Sequence, residues 1–501
     1  MLRIITLLLL VTGLSGCGGN SSSGGGGGGG GGAGGAGAPV AASPRPVVYI
    51  ADADTDGINE LYLADANTPG VAVKLNAALV AGGNVMDFLA SPDGTLVLYR
   101  ADQDMDDVFE LYLVNLAVPG VATRINGLLA GGGDVTGEFI FSPDNTQVVY
   151  RADEDVNEVF ELFLVNLAAP GFAANLSGPL ANGGDVLPGF LFTPDGTRVI
   201  YRADELTNGV DELFMVDVTV PGVSTVLSAA LVGGGDVYNR FMVTPDSSQL
   251  VYRADQTANN LVELFLVDLA MPGVSVTLSS PLVAGGDVSD GFIISPDGSL
   301  VAYHADQDIN GVSELYVAAI ATPGVSTKIN RNPASGGDVL QFGYRFSPDS
   351  SAVAYVADED TNNVVEFFLV ELASPAVSIK LNGPLVAAGD ITTDFAFTPD
   401  GGALVYLADQ DTDEVFELYR VERAMPGVTV KQSAPLVAGG SVQSPGFELS
   451  DDGMELLYIA DQDVDEDFEL YSVDMAVPGV ATELSVPLPA GGDVLEFALI
   501  R

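Results

Sequence analysis

The sequence predicts an all-β ring, a single β-propeller of nine four-stranded blades. Three observations predict it. A Tyr-x-Ala-Asp step recurs at Tyr49, Tyr99, Tyr150, Tyr201, Tyr252, Tyr303, Tyr355, Tyr406 and Tyr458, a period of 50 to 52 residues, and periods of this size belong to propellers or solenoids. Each period holds four short apolar runs of alternating or β-branched character, separated by turn signals. The chain also ends on a run, 494–501, that matches the one strand missing from the first repeat.

The stretch 109–153 shows the unit. "FELYLVNL" reads as a strand C, and "VPG" as a type II turn in which Gly120 supplies positive φ after Pro119. "VATRIN" is strand D, and "LLAGGGDV" leads to the next blade. There "GEFIF" is strand A, "SPDN" is a turn with Pro143 at its second position, and "QVVYRAD" is strand B. The Pro-Gly step stands in eight of nine copies, and Pro375-Ala376 departs from it, so a different turn is expected there. The repeat opens at strand B, 47–52, without an A strand. Eight internal A strands plus the terminal one equal the nine B–C–D sets. The last strand therefore completes the first blade and closes a ring, although typical propellers have four to eight blades. An open or split array is the alternative.

Ahead of the repeats stands "MLRIITLLLLVTGLSGC", one Arg before an apolar run too short to cross a bilayer comfortably. This is a leader rather than an anchor helix. Leu14-Ser15-Gly16-Cys17 resembles the bacterial lipobox, and that resemblance implies cleavage and lipidation at Cys17. Gly18 after the Cys implies sorting to the outer membrane, facing periplasm or cell surface. Cys17 is the single cysteine, so no intramolecular disulfide forms. Residues 18–46 are almost pure Gly, Ser, Ala and Pro. A coil of about 25 such residues spans roughly 25 to 30 Å and reads as a tether. The expected division is thus 1–17 signal, 18–46 tether and 47–501 propeller.

The repeat itself is specific. Ser91-Pro92-Asp93-Gly94 and Ser295-Pro296-Asp297-Gly298, each followed by a β-branched run, a Tyr-x-Ala-Asp hairpin and a run like "ELYLV", resemble the TolB-like propeller repeat of bacterial envelope proteins. Thr193-Pro194-Asp195-Gly196, Thr398-Pro399-Asp400-Gly401 and Ser142-Pro143-Asp144-Asn145 match with one change, and Ser450-Asp451-Asp452-Gly453 has lost its Pro. The resemblance implies the fold across about nine-tenths of the chain. It does not fix the role, because one fold hosts many functions.

Charge narrows the partners. Against 68 Asp and Glu stand 18 Lys and Arg, a formal net charge of −50. A surface this acidic lacks the basic footprint that nucleic acid or anionic lipid requires. It favours cations or basic partners. Membrane association is expected only through the lipid anchor, and the body is expected to be a monomer.

Much of the acid sits in the B–C hairpins. Seven carry Asp-x-[Asp/Asn]-x-[Asp/Asn] with Glu at position 9. These are Asp52, Asp54, Asp56 and Glu60; Asp102, Asp104, Asp106 and Glu110; Asp153, Asp155, Asn157 and Glu161; Asp306, Asp308, Asn310 and Glu314; Asp358, Asp360, Asn362 and Glu366; Asp409, Asp411, Asp413 and Glu417; and Asp461, Asp463, Asp465 and Glu469. The pattern resembles the calcium hairpin of integrin α-subunit propellers, which implies calcium held by positions 1, 3, 5 and 9 and a carbonyl at 7. Calcium accepts six to eight oxygens in loose geometry. Four close carboxylates also repel, by about 4 kcal/mol per pair near 4 Å at an effective dielectric near 20. The alternative is an acidic turn facing water, since Asp and Asn favour turns. Leu206 and Thr257 replace the position-3 acid in the fourth and fifth copies, yet the unit persists.

A second acidic set begins each strand A: Asp134, Asp185, Asp236, Asp287, Asp338, Asp390 and Asp493, with Asn84 and Ser441 in the other two places. Either these form a ring of carboxylates at the channel mouth, or each is a turn residue bonding backbone N–H groups. Antiparallel meanders alternate ends, so this set and the B–C loops share one face.

Catalytic groups are scarce. His304 is the only histidine and takes a position held by Arg100, Arg151, Arg202 and Arg253 in other copies, which reads as structural. No Ser-His-Asp or Cys-His set can be assembled. The absence of Trp weakens a sugar-stacking reading. The repeat breaks at Arg331-Asn332-Pro333 and at Tyr238, Arg240, Tyr344 and Arg345, either as a specific site or as drift between duplicated units. The expectation is a lipid-anchored envelope propeller that binds a protein or ligand, stabilised by calcium, without an active site. The competing expectation is a propeller enzyme, a lactonase or polysaccharide-cleaving protein, using metal and carboxylates on the acidic face.

Overall fold

The computed structural model describes residues 45–331, 336–375 and 377–501. The leader, Cys17 and nearly all of the tether lie outside these residues, as do Asn332, Pro333 and Ala376. The described chain forms 36 strands in nine four-stranded antiparallel sheets arranged as a ring, with no helix among the described residues. Blade 1 is ordered β3 (Ala72–Lys74), β2 (Glu60–Asp65), β1 (Pro46–Ala51) and β36 (Val494–Leu499). The C-terminal strand thus completes the blade that the first strand begins. Eight further blades follow in sequence, each A–B–C–D.

Burial follows from position in the blade. Strand B lies between two neighbouring blades, so both its faces are covered and its apolar run is continuous rather than alternating. β9 (Gln147–Ala152) is buried from Val148 onward, and β25 (Ala352–Ala357) along its full length. Strand D is only three residues long and exposes at least its middle side chain. A short outer edge offers little template for another chain. In each of the nine blades the Tyr of strand B stacks on the aromatic residue opposite it in strand C, from Tyr99 with Tyr112 at 5.3 Å to Tyr201 with Phe214 at 5.8 Å between centroids. Offset stacking of this kind adds about 0.5–1.5 kcal/mol beyond the area buried.

The tyrosine hydroxyl does a second job. It accepts a backbone N–H from the D–A link of the preceding blade, as Gly178 to Tyr201 at 3.0 Å, and donates to position 2 of its own hairpin, as Tyr99 to Gln103 at 2.6 Å. The Pro-Gly turns tie the same neighbours at an adjoining point of the D–A link. Gly120 N–H donates to Leu75 O at 3.2 Å, and Gly273 N–H to Leu227 O at 3.1 Å. The positive φ expected at these glycines is present, 75° at Gly120. A tie of this type also shuts the ring, because Val486 N–H of blade 9 donates to Tyr49 of blade 1 at 3.2 Å.

The closing strand departs from expectation in one respect. The apolar residues of this run, Leu495, Phe497 and Leu499, read from the sequence as packing between blades, yet Leu495 is 46 % exposed. A register shift between Ile50 and Ala51 sets Ala51 against Val494. Val494 and Ile500 are the buried anchors, while Phe497 and Leu499 pack partly against the blade 9 side. Ile500 N–H donates to Pro46 O at 3.0 Å, and Arg501 pairs with Glu448 at 3.2 Å and Asp451 at 3.0 Å. Deleting 494–501 is therefore expected to lower the melting midpoint and to promote self-association through the bared edge of β1. Calorimetry and light scattering check this, and an unchanged monomer with an unchanged midpoint would contradict it.

The acidic face as a candidate cation-binding site

Each B–C hairpin is built around its first Asp. In blade 3, Asp153 Oδ1 accepts the N–H of Asp134 at 2.6 Å, and Oδ2 accepts the N–H of Glu158 at 2.8 Å. Asp134 Oδ1 in turn accepts the N–H of Phe109, in the hairpin of the preceding blade, at 2.7 Å. Two carboxylates thus clasp one hairpin to the next. The arrangement recurs in every blade, including those of Asp204 and Asp255, whose position-3 acid is missing. It closes from blade 9 to blade 1 where Phe468 N–H donates to Asp493 Oδ1 at 2.9 Å, and Asp493 N–H donates in turn to Asp52 at 2.5 Å.

The Gly-Gly-Asp set takes the same role throughout. Asp185, Asp236, Asp287, Asp338, Asp390 and Asp493 each accept a backbone N–H from the preceding hairpin, at 2.6 to 2.9 Å. Asn84 does so with its amide oxygen at 2.8 Å and Ser441 with its hydroxyl at 3.1 Å. The position requires an acceptor rather than a charge.

Position 6 of the hairpin is left-handed in all nine blades, with Gly at 57, 209 and 311 and Asp107, Glu158, Asn260, Asn363, Glu414 and Glu466 elsewhere. Non-glycine residues there cost on the order of 1–3 kcal/mol each. The backbone N–H of position 6 is the donor to the first Asp, so that bond helps hold the turn.

Position 9 opens strand C and is held from two sides. In five blades the Tyr two residues on donates to it, as Tyr62 to Glu60 at 3.2 Å and Tyr112 to Glu110 at 3.0 Å, whereas a Phe takes that place in the other four. Strand D then supplies a cation in five blades. Lys74 lies 2.5 Å from Glu60 and 2.6 Å from Asp54, bridging positions 9 and 3. Lys431 joins Glu417 at 2.5 Å and Asp411 at 2.8 Å, and Lys380 contacts Glu366 and Asp360. Arg124 and Lys328 pair with Glu110 and Glu314, each at 2.6 Å. In these loops the chain itself neutralises part of the cluster.

Four blades lack that cation. Asn175 donates to Glu161 at 2.6 Å, Val226 and Thr277 fill the place in blades 4 and 5, and Glu483 fills it in blade 9. There Glu469 is pushed up to about 7, chiefly by burial, with Glu483, Asp463 and Asp467 adding like charge against the bond from Tyr471. Elsewhere, the carboxylates of Asp102, Asp106 and Asp107 come within 4.8 Å of one another, the one such trio among the described residues. Asp107 was not among the expected ligands, because position 6 reads from Gly57 as a turn glycine. Its acidic side chain was the available signal. Positions 3 and 5 stand exposed at the hairpin tips.

His304 is buried, and its Nε2 lies 2.8 Å from Val339 O. Burial holds its pKa down. Arg151 and Arg202 reach the equivalent carbonyls, Val186 O and Val237 O, so the imidazole substitutes for a guanidinium at a backbone acceptor.

A folded-state carboxyl raised from 4.5 towards 7 favours folding below the lower value and loses that contribution as pH rises through the upper one. Replacing Glu483 by Lys is expected to supply the cation seen in five other blades. Its stabilisation, on the order of 0.5 kcal/mol for a half-exposed pair, should be larger at pH 8 than at pH 5. Denaturant unfolding at the two pH values measures it, and an equal effect at both would contradict the assignment.

No protein-family model and no curated protein matches the sequence. Solved structures do. A crystal structure of a eukaryotic initiation factor is 11 % identical over 92 % of this chain and 99 % of its own, with a TM-score of 0.55. Dipeptidyl peptidase 4 of Porphyromonas gingivalis is 11 % identical at a TM-score of 0.55, over 79 % of this chain, which spans 59 % of the peptidase. A putative TolB from Agrobacterium tumefaciens is 16 % identical over 56 % of this chain and 94 % of its own, at a TM-score of 0.31. At these identities the likeness is one of fold. The class is defined by the ring itself, a nine-bladed β-propeller.

Proposed function

We propose that this chain is a lipid-anchored cell-envelope propeller that acts as a binding or scaffold module, with calcium reinforcing part of its acidic face. The observation that carries the reading is the division of labour in the hairpins. Positions 1 and 9 are committed to inter-blade and inter-strand contacts, whereas positions 3 and 5 stand exposed at the tips, with position 3 paired to a strand-D lysine in blades 1, 7 and 8. Such a surface repeats an acidic hairpin tip in seven of nine blades around a ring, which suits capture of a partner.

Calcium is assigned unevenly. Asp102, Asp106 and Asp107 offer close hard oxygens, which suit a cation that prefers carboxylates. Asp153, Asp155, Asn157 and Glu161 in blade 3, and Asp461, Asp463, Asp465 and Glu469 in blade 9, complete the motif without a strand-D cation. The loops of Lys74, Lys380 and Lys431 already hold an ammonium between positions 3 and 9 and are assigned weaker affinity. Calcium is expected to raise the melting midpoint through linkage between binding and folding, and a chelator to lower it. Glu483→Lys should reduce the response and Lys74→Ala should enlarge it. An unchanged midpoint in chelator, with no calcium by elemental analysis, would remove the metal.

Anchoring rests on Leu14 to Cys17 and the tether that follows. Labelled palmitate is expected to enter the wild-type chain and not Cys17→Ser, which should fractionate as soluble. A variant that remains with the membranes would contradict the anchor.

A further inference from the structure

The repeat breaks on the inner strands of blades 5 to 7. Consecutive A strands adjoin one another around the ring, so they face its axis. Guanidinium groups at the ends of strand B are paired with acids, Arg100 with Asp87 at 2.5 Å and Arg253 with Asp290. Arg240 on β16 (Val237–Val243) and Arg345 on β24 (Val339–Phe346) differ. Neither has a carboxylate at ion-pair distance among the described residues, in a chain of 68 acids. The acids that face them are engaged elsewhere: Asp290 by Arg253, and Asp394 by the Ser444 hydroxyl.

Both groups are held in place with donors to spare. Arg240 Nε donates to Phe292 O at 2.9 Å, and its guanidinium lies 5.6 Å from the Phe342 ring centroid and 5.8 Å from that of Phe292. Arg345 Nη1 donates to Phe342 O at 2.7 Å and Tyr344 O at 2.9 Å, with the Phe395 ring centroid 5.4 Å away. Each guanidinium is therefore fixed by one nitrogen and lies beside aromatic rings, and both side chains remain partly accessible. Phe342 reaches this position with a φ of 64°, within a register shift that gives β24 an extra residue. A bulky residue at positive φ costs on the order of 1–3 kcal/mol. Gly291 lets the insertion close in, since a Cβ there would meet the Tyr344 hydroxyl at 2.9 Å and Phe342 N at 3.3 Å.

We infer that Arg240 and Arg345 form a binding site for the carboxylates of a small organic acid, on the inner strands of the ring. Planar guanidinium groups match carboxylates with two parallel bonds. Two guanidinium groups on separate inner strands suit the two separated carboxylates of such an acid better than the single centre of inorganic phosphate. The inference names a ligand class for the proposed binding module but rests on inner strands, not on the calcium loops.

The test is calorimetric titration of the full chain with succinate in the presence of chelator, which separates this site from the metal loops. Saturable binding is expected, with none for the neutral succinamide. Arg345→Gln should weaken succinate by about tenfold or more, the loss of charge-assisted hydrogen bonds. Arg240→Lys, which keeps the charge and loses the planar fork, should weaken it too, with an unchanged melting midpoint. Absence of saturable heat, wild-type affinity in both variants, or tighter binding of inorganic phosphate than of succinate would overturn the inference.

Discussion

The ring depends on a shared carboxylate seam. At each joint the first Asp of a hairpin accepts two N–H groups, and the residue opening strand A accepts one from the hairpin before it. These N–H groups belong to turns at the blade ends, where no strand partner is available. Left unpaired in a half-buried joint, each would cost about 1–3 kcal/mol. A charged acceptor makes the bonds short and roughly twice as strong as neutral ones. The stacked apolar faces hold adjacent blades together, and the seam fixes their angle and register. Its recurrence where Phe468 of blade 9 meets Asp493 of blade 1 gives the closing joint the same geometry as the others.

Such a seam concentrates negative charge on one face, and the chain manages that charge in several ways. Much of the charge is spent on backbone N–H groups. In five blades a Lys or Arg on strand D answers the buried Glu at position 9. On the opposite face the Asp of each Ser/Thr-Pro-Asp turn is lowered by bonds from neighbouring hydroxyl and backbone groups, as Asp349 is to about 2. The excess left over is mostly at exposed hairpin tips, where water and salt screen it. Blade 9 is the exception, with Glu483 in the place of the cation.

The fold was legible because repetition multiplies weak signals. One Tyr-x-Ala-Asp step says little, but nine at a constant spacing fix the strand order, the turn residues and the closing strand. What the sequence did not disclose was the partnership of each acid. Asp134 and Asp153 look alike in sequence, and both look like the exposed Asp155. Only the fold shows that the first two are acceptors at a joint. The strand-D residues were equally opaque, because Lys74 and Lys431 each lie 14 and 20 residues beyond the two acids they bridge. Leu495 misled for a local reason, since a register shift beside Ala51 turns its side chain outward.

Variation between copies separates charge from hydrogen bonding at these positions. At the head of strand A, Asp, Asn and Ser interchange, and each places an oxygen near the same N–H, so the charge there is incidental. At position 1 only Asp occurs, because two N–H groups from different segments must be met by two oxygens on a short side chain. Position 9 is always Glu, yet its partner on strand D ranges from Lys and Arg to Asn, Val, Thr and Glu. The joint therefore constrains the acid and leaves its counter-charge open. That freedom allows nine similar blades to share one scaffold while their hairpins differ in the demand for an external cation.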